Sequence, residues 1–187
     1  MRPFLLSALL AFPATAQEAA PVAVSLPSSL PPDVAEAILA RPDRFADMAA
    51  DLIHGHGTGG TISPATIETA IALDRAFYRT RALRPFHESD LDGDGTLTPA
   101  ELAARAATLS PPGRARLMRD ATAADADADG TLTPAELAPY AQAQVARALR
   151  PLDEGLMRAA AAFDADADGL TALTEITRAL RTLSPAD

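Results

Sequence analysis

Apolar residues recur along this chain at helical spacing, in segments separated by short polar stretches. From Pro42 they occupy positions i, i+3, i+4, i+7 and i+8 of one helix face, namely Phe45, Met48, Ala49, Leu52 and Ile53. Similar stripes follow residues 98, 133 and 172. A long helix is predicted from 64 to about 88, with a bend at Pro85, and a short one over 32–40. Abundant Ala and few aromatic side chains agree with close-packed helices, so the pattern predicts an all-α protein.

The first sixteen residues have a different pattern, with an apolar run from Phe4 to Phe12 after the positive charge of Arg2. The run is too short to span a bilayer, and Ala14-Thr15-Ala16 has the small-residue form of a cleavage site. We predict a signal peptide cleaved after Ala16, with a buried N-terminal helix as the alternative. Residues 17–31 are predicted to be a flexible leader. The sequence therefore predicts a secreted or periplasmic protein without membrane insertion.

Three acidic segments lie between the helical stretches: DLDGDGTLTPAE at 90–101, DADADGTLTPAE at 125–136 and DADADGLTALTE at 164–175. Each has Asp at positions 1, 3 and 5, Gly at position 6 and Glu at position 12. Calcium takes six to eight oxygen ligands, so a short loop must curl around the ion, turn sharply at a glycine and close with a carboxylate that binds through both oxygens. The candidate ligands are Asp90, Asp92, Asp94, Thr96, Thr98, Glu101, Asp125, Asp127, Asp129, Thr131, Thr133, Glu136, Asp164, Asp166, Asp168, Leu170 and Glu175.

This spacing resembles the EF-hand calcium loop, repeated three times and flanked by helices. The resemblance implies three Ca²⁺ per chain, with a backbone carbonyl from position 7 and a water held at position 9. Two other metal loops remain as alternatives. Dockerin-type loops usually end in Asp and lack the entering helix, and magnesium alone would not use the bidentate Glu. A solvated acidic turn is the simplest alternative for any single loop.

The ends of the loops carry a second signal. Thr98, Pro99 and Glu101 form the pattern of a capping box with proline at the first helical position, and 133–136 repeats it. We expect the Glu to cap its helix without metal and to turn toward the ion when calcium is bound. The third loop lacks this start and has Thr171 and Ala172 at positions 8 and 9, so we expect weaker calcium binding there.

A fourth copy of the loop is predicted 35 residues before Asp90, in GHGTGGTISPAT at 55–66. Gly60 and Ile62 keep the turn glycine and the aliphatic pairing residue, and Ser63-Pro64 keeps the helix start. Every carboxylate is missing, so we predict a degenerate loop that cannot bind calcium; an unrelated glycine-rich loop is the alternative. His54 and His56 lie at its mouth without a third ligand in view, and His87 is predicted to be an ordinary surface residue.

The resemblance implies two EF-hand pairs, as in the calmodulin superfamily, with short antiparallel bridges between paired loops. Taken in chain order, the pairs are residues 33–109 and 110–187. Ile62 would then lie opposite Leu97, and Leu132 opposite Thr171. Replacing Ile62 by Asp would accordingly weaken calcium binding by the loop at 90–101.

Composition limits the function. The net charge of −9 argues against nucleic acid as a partner, because phosphate binding needs a positive face. There is no Cys, which excludes disulfides, thiolate metal sites and a cysteine nucleophile. We carry three hypotheses: a calcium sensor that binds an unidentified protein partner, a calcium buffer or calcium-stabilised structural protein, and an enzyme. Because no nucleophile motif or phosphate loop is found, we expect no enzymatic activity.

Overall fold

The computed structural model describes residues 26–183. The predicted signal peptide and most of the leader lie outside these residues. Eight α-helices are described, at Pro32–Ala40 (α1), Pro42–His56 (α2), Pro64–His87 (α3), Pro99–Thr108 (α4), Pro111–Ala124 (α5), Pro134–Ala148 (α6), Pro151–Ala159 (α7) and Leu173–Arg181 (α8). Two short strands, Thr61–Ile62 (β1) and Thr171–Ala172 (β2), form the one small sheet of this part of the chain. The predicted all-α fold class is confirmed.

The helices begin where the sequence supplies a start signal. Seven of the eight have proline in their first turn, where its missing N–H has no helical partner to lose. The predicted helices over 32–40 and from Pro42 are confirmed, and the long helix runs unbroken from Pro64 to His87 with Pro85 in its last turn.

Four helix–loop–helix units follow from this order. Unit 1 comprises α2, the loop at 55–66 and α3; unit 2 comprises α3, the loop at 90–101 and α4. Unit 3 comprises α5, the loop at 125–136 and α6. Unit 4 comprises α7, a 3-10 turn at Ala160–Phe163, the loop at 164–175 and α8. The helix α3 is shared, because it leaves the first loop and enters the second.

The pairing of the units differs from the prediction made in chain order. Ile62 lies opposite Thr171 in the antiparallel β1–β2 pair, and Leu97 bridges Leu132 through two backbone hydrogen bonds of 2.9 Å. The predicted pairs Ile62–Leu97 and Leu132–Thr171 are therefore wrong. Units 2 and 3 form an inner pair, and units 1 and 4 form an outer pair that joins the two ends of the described chain.

The length of α3 explains this pairing. A helix of 24 residues separates its two ends by roughly 36 Å, whereas strands in a bridge lie about 4.8 Å apart. The loops at the two ends of α3 therefore cannot pair with each other. The loops at 90 and 125 are joined by two helices with a break at Ser110-Pro111, which lets α4 and α5 fold back and bring both loops to the same end.

Most of the buried apolar residues form two cores that match these pairs, and Ala141 and Val145 of α6 belong to neither. The inner core comprises Phe86, Leu97, Leu102, Ala106, Leu117, Ala121, Ala124, Leu132, Leu137 and Tyr140. The outer core comprises Val34, Ile38, Phe45, Ala49, Leu52, Ile53, Ile62, Ile67, Ala70, Ile71, Leu149, Met157, Ala159, Ala160, Phe163, Ile176 and Leu180. The outer core thus joins residues 34–71 to residues 149–180, and a division of the chain at 109 cuts across it.

Helix α1 belongs to none of the four units but contributes to the outer core. Its Val34 and Ile38 side chains are 2% and 0% exposed, and they pack against α7 and α2. Gly155 of α7 allows this contact, because a Cβ at that position would lie 2.9 Å from Val34 Cγ2. The helix therefore covers a face of the outer pair.

Ion pairs hold α3 and α7 together across the outer pair. Arg75 donates two hydrogen bonds of 2.7 and 2.6 Å to the carboxylate of Glu154, which is nearly buried. Arg158 also donates to Glu154, at 3.2 Å, and to Glu68, at 2.6 Å. Glu154 is thereby paired with two guanidinium groups, which offsets the desolvation of its charge.

Candidate metal centres

Each acidic loop follows directly on an entering helix and closes on the first turn of an exit helix. In the first loop, Asp90 Oδ1 accepts a hydrogen bond from the Gly93 N–H at 2.8 Å, and Asp90 Oδ2 accepts one from the Gly95 N–H at 3.0 Å. Asp94 accepts one from the Thr96 N–H at 2.7 Å. These bonds curl the backbone around the carboxylates, and the loops at 125 and 164 repeat the bond from the position-6 glycine to the first Asp.

The curl brings carboxylates together in all three loops. Ligand oxygens lie within 4.8 Å of one another in three groups, which are Asp90, Asp92 and Asp94; Asp125, Asp127 and Glu136; and Asp164, Asp166 and Asp168. Like charges at this distance repel one another, and a divalent cation would relieve that repulsion. An all-oxygen set of this kind suits a hard cation such as calcium.

One carboxylate oxygen of the second loop has no hydrogen-bond partner among the described residues. Asp125 Oδ1 is buried and accepts no hydrogen bond from the residues described. A buried carboxylate oxygen without a partner is costly, and a cation at the centre of this loop would supply one. The carboxylate oxygens of this loop and the unpartnered Asp125 Oδ1 both fit a calcium ion held by Asp125, Asp127 and Glu136.

The closing glutamates have two kinds of partner. Glu101 Oε1 accepts a hydrogen bond from the Leu91 N–H at 2.9 Å, across the loop, and Glu101 Oε2 accepts one from the Thr98 N–H at 2.9 Å. The predicted capping box at Thr98 is confirmed, since its hydroxyl also accepts from the Glu101 N–H. Glu136 makes the matching bonds to Ala126 and Thr133 while its carboxylate lies in the acidic cluster. In this loop, helix capping and a position facing the cluster are therefore compatible.

Backbone N–H donors keep these glutamates ionised. Hydrogen bonds from the Thr98 and Leu91 N–H groups hold the pKa of the Glu101 carboxyl below its usual value. Hydrogen bonds from the Thr133 backbone and hydroxyl lower the pKa of Glu136 in the same way. Both carboxylates therefore remain charged, as calcium ligands must be.

The position-9 threonines hydrogen-bond the closing glutamates, and the water predicted at this position stays a prediction. The Thr98 hydroxyl donates to Glu101 Oε2 at 2.8 Å, and the Thr133 hydroxyl donates to Glu136 Oε2 at 2.8 Å. These hydroxyls orient the closing carboxylate. The third loop has Ala172 in their place, so Glu175 accepts only the Ala165 and Ala172 N–H groups.

Sequence reasoning missed the backbone at position 4 of the loops. Ala128 and Ala167 have φ of 60° and 59°, in the left-handed region that disfavours residues with a Cβ. The first loop has Gly93 at this position, with φ of 76°. The alignment of Gly93 with Ala128 and Ala167 was the available signal.

The loop at 55–66 keeps the outline of the others but closes more tightly. Helix α2 continues through His56, and Thr58 and Thr61 exchange backbone hydrogen bonds around Gly59 and Gly60. Both glycines have positive φ, as a type I′ turn requires. Gly57 is needed for close packing, because a Cβ there would lie 2.4 Å from the Thr61 carbonyl oxygen. The segment has no carboxylate, so it lacks the ligands that the other three loops share.

The three histidines lie outside the acidic groups. His54 and His56 are exposed at the end of α2, and His87 is exposed at the end of α3. Within residues 26–183, no group of three close metal-ligating side chains includes a histidine. The structure therefore brings together no further ligand for the His-x-His pair.

Comparison with known proteins gives one match. A family model described as "EF hand" matches residues 83–104, which run from the end of α3 through the first loop into α4. No match was found among curated proteins or among solved structures. Residues 83–104 thus have the sequence and the helix–loop–helix form of an EF hand, and the acidic groups of all three loops are consistent with calcium loops.

Proposed function

We propose that this protein binds three calcium ions, one in each acidic loop, and acts as a calcium-responsive binding module without enzymatic activity. The convergence of carboxylates in three loops of the same form is the observation that carries the proposal. Calorimetric titration of calcium-free protein is expected to reach saturation at three ions per chain. Extracellular calcium modules bind at about 10⁻⁴–10⁻³ M, which is the range expected for a secreted chain.

An apolar groove in the inner pair supports a partner-binding role. It lies between α4 and α5, has a volume of about 540 Å³ and is lined by Leu102, Ala103, Ala106, Met118 and Ala121 among others. Met118 is 44% exposed there. The floor of the groove adjoins Gly130 and Leu132 of the second calcium loop, so calcium binding can change the groove directly.

An apolar dye provides the test. We expect calcium to increase dye binding, and we expect Ala103→Glu to abolish the increase by placing a charge in the groove. Ala104→Glu is the matched control, because Ala104 is also exposed on α4 but does not line the groove. Dye binding that ignores calcium would contradict the sensor hypothesis, and saturation at fewer than three ions would contradict the site assignment.

A calcium buffer or calcium-stabilised structural protein is the second candidate. The outer pair favours it, because α1 already covers an apolar face there. A response limited to a higher melting temperature with calcium, with no change in dye binding, would support this role for the whole chain.

Secretion is part of the proposal and rests on the sequence of residues 1–16. Among residues 26–183, none of the helices combines the length and apolarity that crossing a membrane requires. Identification of Gln17 as the first residue of the protein exported by its host would test the predicted cleavage.

A further inference from the structure

A second groove lies on the outer pair, where α1, α2 and α7 meet. It has a volume of about 360 Å³. Its apolar lining comes mainly from Phe45, Met48, Leu152, Leu156 and Met157. Neither the acidic loops nor the loop at 55–66 contributes a residue to it. This surface, which we call the arginine groove, is therefore separate from the candidate calcium centres.

Three exposed arginines border this apolar lining. Arg41 and Arg44 come from the start of α2, and Arg150 comes from the residue before α7. Arg150 is paired with Asp153, the one acidic residue of the groove. Within residues 26–183, neither Arg41 nor Arg44 forms an ion pair with an acidic side chain. The groove lining carries three positive charges and one negative charge in a chain whose net charge is −9, and Asp43 lies between Arg41 and Arg44 in sequence but outside the lining.

The backbone adds to this positive potential. Helices α2 and α7 both begin at the groove, immediately after Arg41 and Arg150. The amino-terminal end of a helix carries a partial positive charge. Helix α2 has no side-chain cap and begins with Pro42, which lacks an N–H, whereas Asp153 accepts a hydrogen bond from the Arg150 N–H at the start of α7.

We propose that the arginine groove binds a single-chain anionic amphiphile, with its carboxylate head at Arg41 and Arg44 and its apolar tail along Phe45, Met48 and Leu156. Charge complementarity identifies the head, because the planar guanidinium matches a carboxylate with two parallel hydrogen bonds. Size favours a small molecule over a protein. The volume lies within the range of roughly 300–1,000 Å³ that is typical of small-molecule sites.

Calorimetry with sodium dodecanoate, below its micelle concentration, tests the proposal on the full chain. We expect one molecule to bind per chain of the calcium-free protein in EDTA; calcium is left out because it precipitates dodecanoate. The Arg41→Gln/Arg44→Gln variant should bind at least about tenfold more weakly, because charge-assisted hydrogen bonds are lost. Both arginines are exposed, so the variant should fold, which circular dichroism would check.

Matched controls separate this site from general charge attraction. Arg79→Gln/Arg178→Gln removes two exposed arginines elsewhere and should leave dodecanoate binding intact. Dodecyltrimethylammonium has the same tail and a cationic head, so the acidic loops and not the groove should attract it, and its binding should not respond to Ala40→Trp. Ala40→Trp, at the exposed edge of the groove, should block dodecanoate by filling the space.

Several outcomes would overturn the proposal. No binding of dodecanoate would do so, as would equal weakening by both double variants or binding of the cationic amphiphile that Ala40→Trp blocks. Self-association that Arg41→Gln/Arg44→Gln abolishes would instead make the groove an interface between two copies. If a peptide rich in Leu and Glu bound the groove and dodecanoate did not, the groove would be assigned to a protein partner. None of these results alters the calcium proposal, which is read from ion stoichiometry.

Discussion

At the scale of single residues, the closing glutamates cap their exit helices and are the proposed bidentate ligands of their loops. Glu101 accepts hydrogen bonds from the Leu91 and Thr98 N–H groups, and Glu136 accepts the matching bonds while its carboxylate also lies in the acidic cluster. Glu101→Gln and Glu136→Gln keep one acceptor oxygen but lose the charge and the second oxygen. We expect each to weaken calcium binding at its own loop by on the order of a hundredfold, since affinity follows the number of charged ligands.

The third loop should respond less to the same change. Glu175 lacks the threonine hydroxyl that orients Glu101 and Glu136, and its loop pairs with a turn that has no carboxylates. We therefore expect Glu175→Gln to act on a site that is already the weakest of the three. Titration of each variant, followed by NMR of Gly95, Gly130 and Gly169, measures the ranking, and Glu36→Gln on the exposed face of α1 is the control. Equal calcium affinity at all three wild-type sites would contradict the predicted ranking.

A pH dependence is expected from Asp153. Two hydrogen bonds from the Arg150 guanidinium hold the pKa of this carboxyl below its usual 3.8, with Arg44 contributing. Because the folded-state pKa is lowered, its stabilising effect is complete above about pH 3.8 and is lost as the pH falls through the folded-state value.

Melting temperatures of wild type and Asp153→Asn in EDTA measure this effect. The wild type should be more stable at pH 6, and the difference should shrink as the pH approaches 3. The calcium ligands titrate equally in both proteins, so they cancel in the comparison. A difference that stays constant between pH 6 and pH 3 would show that Asp153 acts through packing and not through its charge.

At the scale of elements, the loops were predictable from sequence and their partners were not. The ligand spacing, the turn glycine and the capping box at 98–101 depend on residues within one loop, so local chemistry determines them. Pairing depends on the helices between loops. The sequence signal for the pairing was that no helix-breaking residue lies between Pro64 and Pro85, so one helix connects the first two loops. The other loops are connected by two helices each, with breaks at Ser110-Pro111 and Arg150-Pro151. An unbroken helix keeps the loops at its ends apart.

The observed pairing changes the expected effect of position 8. Ile62 is buried at the β1–β2 bridge beside the loop at 164–175, and Leu97 is buried at the bridge to the loop at 125–136. Replacing either by Ala should cost about 2–5 kcal/mol of local packing. We expect Ile62→Ala to weaken calcium binding by the loop that contains Gly169. Binding by the loops that contain Gly95 and Gly130 should not change.

Leu97→Ala is the reciprocal control and should give the opposite result. It removes a side chain of similar size from the inner bridge, so the Gly130 signal should titrate at higher calcium and the Gly169 signal should not change. If Ile62→Ala instead shifted Gly95, the two loops flanking α3 would be coupled and the observed pairing would be contradicted.

At the scale of the whole molecule, the inner pair is inserted in the sequence between the two units that form the outer pair. The outer core draws Ile38 and Ile53 from the beginning of the described chain and Ile176 and Leu180 from its end. The inner core lies within residues 86–140. Each core buries its own side chains, so each is expected to open as one cooperative unit, with α3 as the element common to both.

Hydrogen exchange in low urea and EDTA can resolve these two units. Amides of α2 and α8 should share one opening free energy, although they lie more than a hundred positions apart, and amides of α5 and α6 should share another. Ile176 is completely buried, so Ile176→Ala should lower the opening free energy of α2 and α8 together by about 2–5 kcal/mol. Helices α5 and α6 should keep their protection. Leu117→Ala should reverse the pattern, because Leu117 belongs to the inner core. If α2 opened with α4 and independently of α8, the chain would be divided in sequence order, and the nested arrangement of pairs would be wrong.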